Sequence, residues 1–219
     1  KKLVVYFFYF LLLSVLFFFG ALSTIGIETN RFNKIITNKI DKSFSNVNLI
    51  LDSIKFKLDV RELSLFIVTL NPKIKYNKLE VPVKSIKGYV DFLSLFKASP
   101  NINKVNIILD KLQIQEIKKL SFLIKPSNVK SLINNNVKKG IFNTEIEIYL
   151  DSNNSVDNYI VRGSVSDLEL KVTKNIKFEN AKFNFFSDKT DILIKNISGR
   201  IKNLSIQDGD LTIDLDKEI

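Results

Sequence analysis

Residues 144–150 read Thr-Glu-Ile-Glu-Ile-Tyr-Leu: Thr144, Ile146, Ile148 and Leu150 alternate with Glu145, Glu147 and Tyr149. A period of two sends the two sets to opposite faces of a β-strand, one fit for a core and one for water. The pattern recurs toward the C-terminus in Leu168, Leu170 and Val172, in Ala181, Phe183 and Phe185, and in Leu211, Ile213 and Leu215. Turn residues separate the runs at Asp151–Asn154, Lys174-Asn175, Ser187–Lys189 and Asp208-Gly209. From Ile141 onward the chain therefore reads as a meander of short antiparallel strands with one apolar face. With no helix in this half to cover it, that face must curl, pair with further chain or hold something apolar.

Toward the N-terminus the strands continue. Val105, Ile107 and Leu109 form one, and Leu112 and Ile114 resume after a turn at Asp110-Lys111. Leu79, Val81 and Val83 alternate around Pro82, which predicts an edge strand. Ile54, Phe56, Leu58 and Val60 alternate with Lys55, Lys57, Asp59 and Arg61. The phase then flips at Arg61-Glu62, so that Leu63, Leu65 and Ile67 carry the apolar face onward, which predicts a tight turn or a bulge. Short helices are expected at Asp91–Lys97, with Phe92, Leu93 and Phe96 as a plug, and at Pro126–Asn136, where the proline suits a first turn.

Ahead of the strands, Glu28–Phe44 has helical spacing, with Phe32, Ile35, Ile36, Ile40 and Phe44 on one side. Such a helix lies on a membrane surface or closes the end of a β-domain. Before it, Leu3–Leu22 is a run without a charge. At ~1.5 Å per residue a twenty-residue helix spans ~30 Å, the thickness of a hydrocarbon core. It is too long for a signal-peptide apolar region, and Gly20-Ala21-Leu22-Ser23 is a poor cleavage site. The reading is a retained single-pass anchor contacting the bilayer through residues 3–22, with Tyr6 and Tyr9 toward one interface. Lys1 and Lys2 favour a cytoplasmic N-terminus with the bulk of the chain on the far side. The organisation is then an anchor with a basic flank at 1–23, an amphipathic helix at 24–45 and a β-rich domain at 46–219. Met is absent and an alternating pattern runs up to Ile219, so the chain reads as part of a longer protein. The fold class is mainly β: an elongated antiparallel sheet or groove with a few short helices behind a transmembrane helix.

Cys, His and Trp are absent. Imidazole, thiolate and zinc chemistry are thereby excluded. No phosphate-binding loop or nucleophile elbow is present. The carboxylate pairs Asp208/Asp210 and Asp214/Asp216 lie beside a turn glycine and on an alternating strand, as solvated faces do, with too few ligands for calcium. No enzyme activity and no cofactor are expected. The net charge of +10 goes with a composition rich in Lys, Asn, Ile and Phe. Lys55, Lys57, Lys73, Lys75 and Lys84 suit phosphate headgroups. Basic residues without interleaved aromatics do not suggest nucleic acid.

The order of pieces also carries a resemblance. After the anchor and the first strand pair come Asn71-Pro72-Lys73-Ile74 and Leu79-Glu80-Val81-Pro82-Val83. Val90-Asp91-Phe92-Leu93-Ser94-Leu95-Phe96 and Ile102-Asn103-Lys104-Val105-Asn106-Ile107 follow. This run, within roughly residues 3–115, resembles the N-terminal region of the AsmA-like family, from which it departs in being rich in Lys and Asn. The resemblance implies a protein of the Gram-negative inner membrane with its bulk in the periplasm. It further implies a β-groove lined with apolar side chains that carries phospholipid and supports the outer membrane. Phe56, Leu58, Val60, Ile107, Ile146, Ile148, Phe183 and Phe185 are then the candidate groove residues; the competing reading makes them plain core. A membrane-anchored assembly factor that binds a protein through its strand edges is the alternative function.

Overall fold

The computed structural model describes residues 2–43, 46–60, 64–77, 79–90, 102–122, 126–151 and 155–215. Helix α1 (Lys2–Thr24) is apolar on all sides, and Leu22 is its one buried residue. It is long and apolar enough to cross a membrane, and its 23 residues extend about 34 Å. Two residues later the chain enters a sheet as β1 (Ile27–Thr29), followed by α2 (Asn33–Ser43). The expected amphipathic helix is thus shorter at its start, because Glu28 is in β1, paired with Lys55.

The rest is mainly antiparallel β-structure. Strands β2 (Val47–Ile50), β5 (Lys73–Tyr76) and β6 (Leu79–Val81) form a small sheet in the order β2-β5-β6. The large sheet runs β1-β3-β4-β7-β8-β10-β11-β12-β13-β14. Its members are β3 (Ser53–Asp59), β4 (Ser64–Leu70), β7 (Val83–Val90), β8 (Ile102–Leu109), β10 (Val137–Leu150), β11 (Val156–Lys171), β12 (Lys177–Ser187), β13 (Asp191–Ile201) and β14 (Leu204–Asp214). The two-residue β9 (Leu112–Gln113) pairs with β10 alone. At about 4.8 Å per step, ten strands extend roughly 43 Å. Pro82 sits where the chain leaves β6 for β7 and changes sheets. It has no N–H to place in either ladder, and its carbonyl accepts from Asp110 N–H at 3.0 Å.

β3 and β4 are an antiparallel pair in which Asp59 pairs with Ser64, and the phase flip read at Arg61-Glu62 falls between the two strands. Residues 61–63 lie outside the described residues, as do the expected helix at Asp91–Lys97, Phe44 and Asp216. Ile114 does not continue a strand. It opens helix α3 (Ile114–Ser121), where the Glu116 carboxylate accepts from Gln113 N–H at 2.7 Å. Helix α4 (Asn128–Asn136) starts after Pro126, with Ser127 Oγ accepting from Lys130 N–H at 3.1 Å.

Four bulges decide how the last strands face. Asp167, Asn180, Asn196 and Asp208 adopt positive φ between 50° and 56° within β11, β12, β13 and β14. At each one the pairing register shifts by one residue. A one-residue slip would send every later side chain to the opposite face. Here the sequence slips at the same places. In β13, for example, Ile192 and Ile194 give way to Ile197, Gly199 and Ile201, and the apolar set stays on one side. Asn and Asp tolerate this left-handed backbone better than other side chains do. Asp208-Gly209, read from the sequence as a turn, is one of these bulges. The reversal between β13 and β14 is at Lys202-Asn203, with Lys202 at φ 53°.

Candidate functional site

Directly paired residues of antiparallel strands point to the same face, so the register can be followed across the large sheet. One row runs Ile27, Phe56, Ile67, Gly88, Val105, Ile148, Tyr159. A second runs Ile86, Ile107, Ile146, Val161, Ser187, Ile192, Ile213. A third joins Thr144, Gly163, Phe185, Ile194 and Leu211, and a fourth Phe142, Val165 and Phe183. These rows share one continuous face, nearly all of it apolar, which begins at the strand joined to α1.

Seven of the eight candidate groove residues lie on this face: Phe56, Leu58, Ile107, Ile146, Ile148, Phe183 and Phe185. Val60 does not. It follows the end of β3 and is exposed. Residues the sequence reading did not single out, among them Val161, Ile192 and Ile194, complete the face. Assigning them requires the strand register, because Ile160-Val161 and Ile192-Leu193-Ile194 are consecutive apolar residues whose face alternation does not decide.

Two covers bury part of this surface. At the β3 side, Ile36 and Ile40 of α2 and Ile74 of the small sheet pack over Leu49, Leu51 and Ile54, with Phe56, Ile67 and Ile86 against the same cluster. Of the two settings open to α2, it takes the one that closes the end of a β-domain. At the β10–β12 side, Ile114 and Ile117 of α3 and Ile133 of α4 pack over Val137, Val165, Leu168 and Ala181. The second half of the sheet is therefore not without helical cover, because α3 and α4 fold back onto it. Phe183 and Phe185 join this second cluster and so serve partly as core.

Neither cover includes Val105, Ile107, Ile146, Ile148, Val161, Ile192 or Ile194, all of which stay half-buried. Leu211 and Ile213 on β14 are exposed. Gly88 adds a notch in the first row, since a side chain built there meets no atom within 4 Å. Gly163 is the opposite case: a Cβ would lie 2.0 Å from the Asn143 carbonyl oxygen and 2.8 Å from the Phe185 ring. Phe185 thus lies across Gly163 in the gap a side chain would fill.

The opposite face is more polar at its centre. Arg162 donates from Nε to Glu145 Oε2 at 3.0 Å and from Nη2 to Glu147 Oε1 at 2.8 Å. Asn106 Nδ2 donates to Glu145, and Tyr149 O–H donates to Glu147 Oε2 at 2.8 Å. The Arg162 guanidinium, then the Asn106 amide, holds the Glu145 carboxyl below its ordinary range, and Glu145 in turn pushes the Arg162 pKa up. Lys104 Nζ sits 4.2 Å from the Tyr89 ring centre, and that ring packs on Phe66 at 5.6 Å. Both carboxylates of the cluster share the Arg162 guanidinium, as befits a brace across β8, β10 and β11.

A cleft of about 950 Å³ opens where β8 gives way to β9 beside β10, lined by Lys84, Asp110, Thr144, Arg162 and Phe185 among others. The candidate headgroup lysines are scattered. Lys55 pairs with Glu28 at 3.7 Å, Lys57 donates to the Thr24 carbonyl at 2.9 Å, and Lys73, Lys75 and Lys84 are exposed. Comparison with protein-family models, curated proteins and solved structures finds no match. The likeness to the AsmA-like family therefore rests on the residues quoted for it.

Proposed function

We propose that this chain is a non-enzymatic, membrane-anchored lipid-handling protein whose open sheet face takes phospholipid acyl chains from the bilayer that holds α1. The observation that carries this reading is the continuity of the apolar face. Paired residues run across seven strands from Ile27, three residues past α1, to Tyr159; Phe56 and Ile67 lie against the cover formed by α2 and the small sheet, Gly88 leaves a notch, and the face is uncovered from Val105 onward. Each methylene withdrawn from water onto such a face gains about 0.8 kcal/mol. The stretch that neither cover buries, Val105, Ile107, Ile146, Ile148, Val161, Ile192 and Ile194, is where an acyl chain would lie. Together with the AsmA-like resemblance, this supports a setting in the Gram-negative inner membrane with the sheet in the periplasm, and a role in phospholipid transport or outer-membrane homeostasis. Charge placed in the middle of the path tests the reading. Full-length Ile146→Asp, folded by circular dichroism, should retain much less phospholipid than wild type after exchange into a lipid-free surfactant. Equal retention would refute the proposal.

A second reading, an assembly factor, has one observation in its favour. Among the described residues β14 pairs only with β13, and its outer edge runs beside exposed Leu211 and Ile213. An unpaired edge of this length is a template for strand addition. Under this reading, crosslinkers placed along β14 capture one reproducible protein and Ile146→Asp retains its activity in the cell.

A further inference from the structure

The segment between the anchor and the sheet has features that lipid carriage does not require. Ile25, Ile27 and Phe32 are 70%, 51% and 44% exposed, although each follows closely on a helix apolar enough to sit in lipid. Their position relative to α1 is fixed by a short joint. Ile25 N–H and Gly26 N–H both donate to the Ala21 carbonyl, at 2.9 and 3.0 Å. Lys57 Nζ, reaching over from β3, caps the Thr24 carbonyl at 2.9 Å, where the negative end of the helix dipole favours a cation. Gly26 has φ +75°, and a Cβ there would lie 2.6 Å from the Phe56 carbonyl oxygen. The end of α1 therefore stands directly against β3.

Ile27 pairs with Phe56, and Phe32 meets the Phe56 ring edge-on at 5.7 Å between centres. Asn33 Nδ2 ties the following turn to the Leu51 and Asp52 carbonyls at 3.1 and 2.8 Å. Arg31 and Lys34 are exposed on this stretch, and Glu28 is engaged by Lys55 and Ser53. An exposed apolar ledge with cations beside it, continuous with a lipid-soluble helix, matches the layered chemistry of a bilayer interface.

We infer that Ile25–Lys34 is an interfacial collar: Ile25, Ile27 and Phe32 enter the acyl boundary of the bilayer that holds α1, and Arg31 and Lys34 lie among its anionic headgroups. The collar, with the Gly26 joint, holds β1 and the adjoining end of β3 against the membrane surface. Helix α2 takes no part, because Ile36 and Ile40 are turned into the core. This inference rests on the anchor reading and not on lipid carriage.

The chain contains no Trp, so single substitutions report their own surroundings. Full-length Ile27→Trp, Phe32→Trp, Phe17→Trp and Leu204→Trp would each be reconstituted into vesicles of brominated phosphatidylcholine, with or without phosphatidylglycerol. Phe17→Trp reports the anchor and Leu204→Trp the far edge of the sheet. The collar predicts strong quenching at Ile27→Trp, Phe32→Trp and Phe17→Trp and none at Leu204→Trp. It also predicts that quenching at Phe32→Trp falls several-fold without phosphatidylglycerol or with Arg31→Glu and Lys34→Glu together. Quenching of Phe17→Trp alone overturns the collar and leaves the anchor standing. An unquenched Phe17→Trp overturns the anchor and the collar with it. Collar quenching that ignores both lipid charge and the double substitution overturns the role given to Arg31 and Lys34.

Discussion

Two glycines on the apolar face make opposite predictions from the same register. Gly163 lies on β11 between Thr144 and Phe185, and a Cβ there would lie only 2.0 Å from the Asn143 carbonyl oxygen. Real Cβ atoms do not approach closer than about 3.0 Å, so Gly163→Ala forces β10 and β11 apart by about 1 Å and lifts the Phe185 ring. Overpacking of this kind costs about 1–3 kcal/mol. The smaller entropy of the unfolded alanine chain returns about 0.4–1 kcal/mol. Because the clash is with backbone, the cost lies in the upper half of that range, about 2–3 kcal/mol, and the net loss is about 1–2.6 kcal/mol, or a melting temperature lower by roughly 2–10 °C for a chain of this size. Gly88 has nothing within 4 Å of its would-be Cβ, so Gly88→Ala keeps only the entropic gain and melts at or slightly above wild type. Thermal melts of the three full-length proteins in the same detergent, followed by far-UV circular dichroism, give the comparison. A Gly163→Ala protein as stable as wild type would refute the strand register. A Gly88→Ala protein that melts several degrees lower would mean the notch is filled.

Arg162→Ala should cost about 1–2 kcal/mol: charge-assisted hydrogen bonds to Glu145 and Glu147 are lost, and the exposure of the guanidinium discounts each one. Because the Glu145 pKa is lowered in the folded state, its contribution is fully present at neutral pH and is lost as pH falls through the ordinary glutamate range toward the folded value. Urea midpoints measured from pH 7 down to pH 3 should therefore fall more steeply in wild type than in Arg162→Ala. At the β13 bulge, Asn196→Val should lose about 1–2 kcal/mol, since a β-branched residue resists φ 56°, whereas Asn196→Gly stays near wild type. Equal denaturation midpoints for the two Asn196 variants would show that the bulge is not held in the left-handed conformation.

The features legible in the sequence were those with a single uninterrupted period. The charge-free run at Leu3–Leu22 and the alternation of Thr144–Leu150 each specify their element without help from distant residues. Where two periods meet, the reading stopped. Ile192 and Ile194 share a face with Ile197 and Gly199 only because Asn196 takes a left-handed conformation, and a strict alternation count breaks there. Asp208-Gly209 has the composition of a turn, yet it is a bulge, because residues on both sides find partners on β13. Ile114 followed Leu112 at strand spacing, but Ile114 and Ile117 are also a helical pair, and cover for Val165 and Leu168 decides in favour of the helix. Seven of the eight groove candidates were found one strand at a time. Their union into one face, and its start at the end of α1, depends on strand order, which local patterning does not encode.

The central claim is that one face of the large sheet holds lipid and the other does not. Ile148 and Glu147 are neighbours on β10 with side chains on opposite faces, so they give the most direct comparison. A photoreactive amino acid at each position in turn, irradiated in intact cells with labelled phospholipid, reads out lipid contact at a single residue. The account predicts a lipid adduct at Ile148 and none at Glu147, with the Ile148 adduct lost when Gly88→Leu fills the notch on the same row. Equal labelling at both positions, or none at either in a folded and membrane-inserted protein, would contradict it.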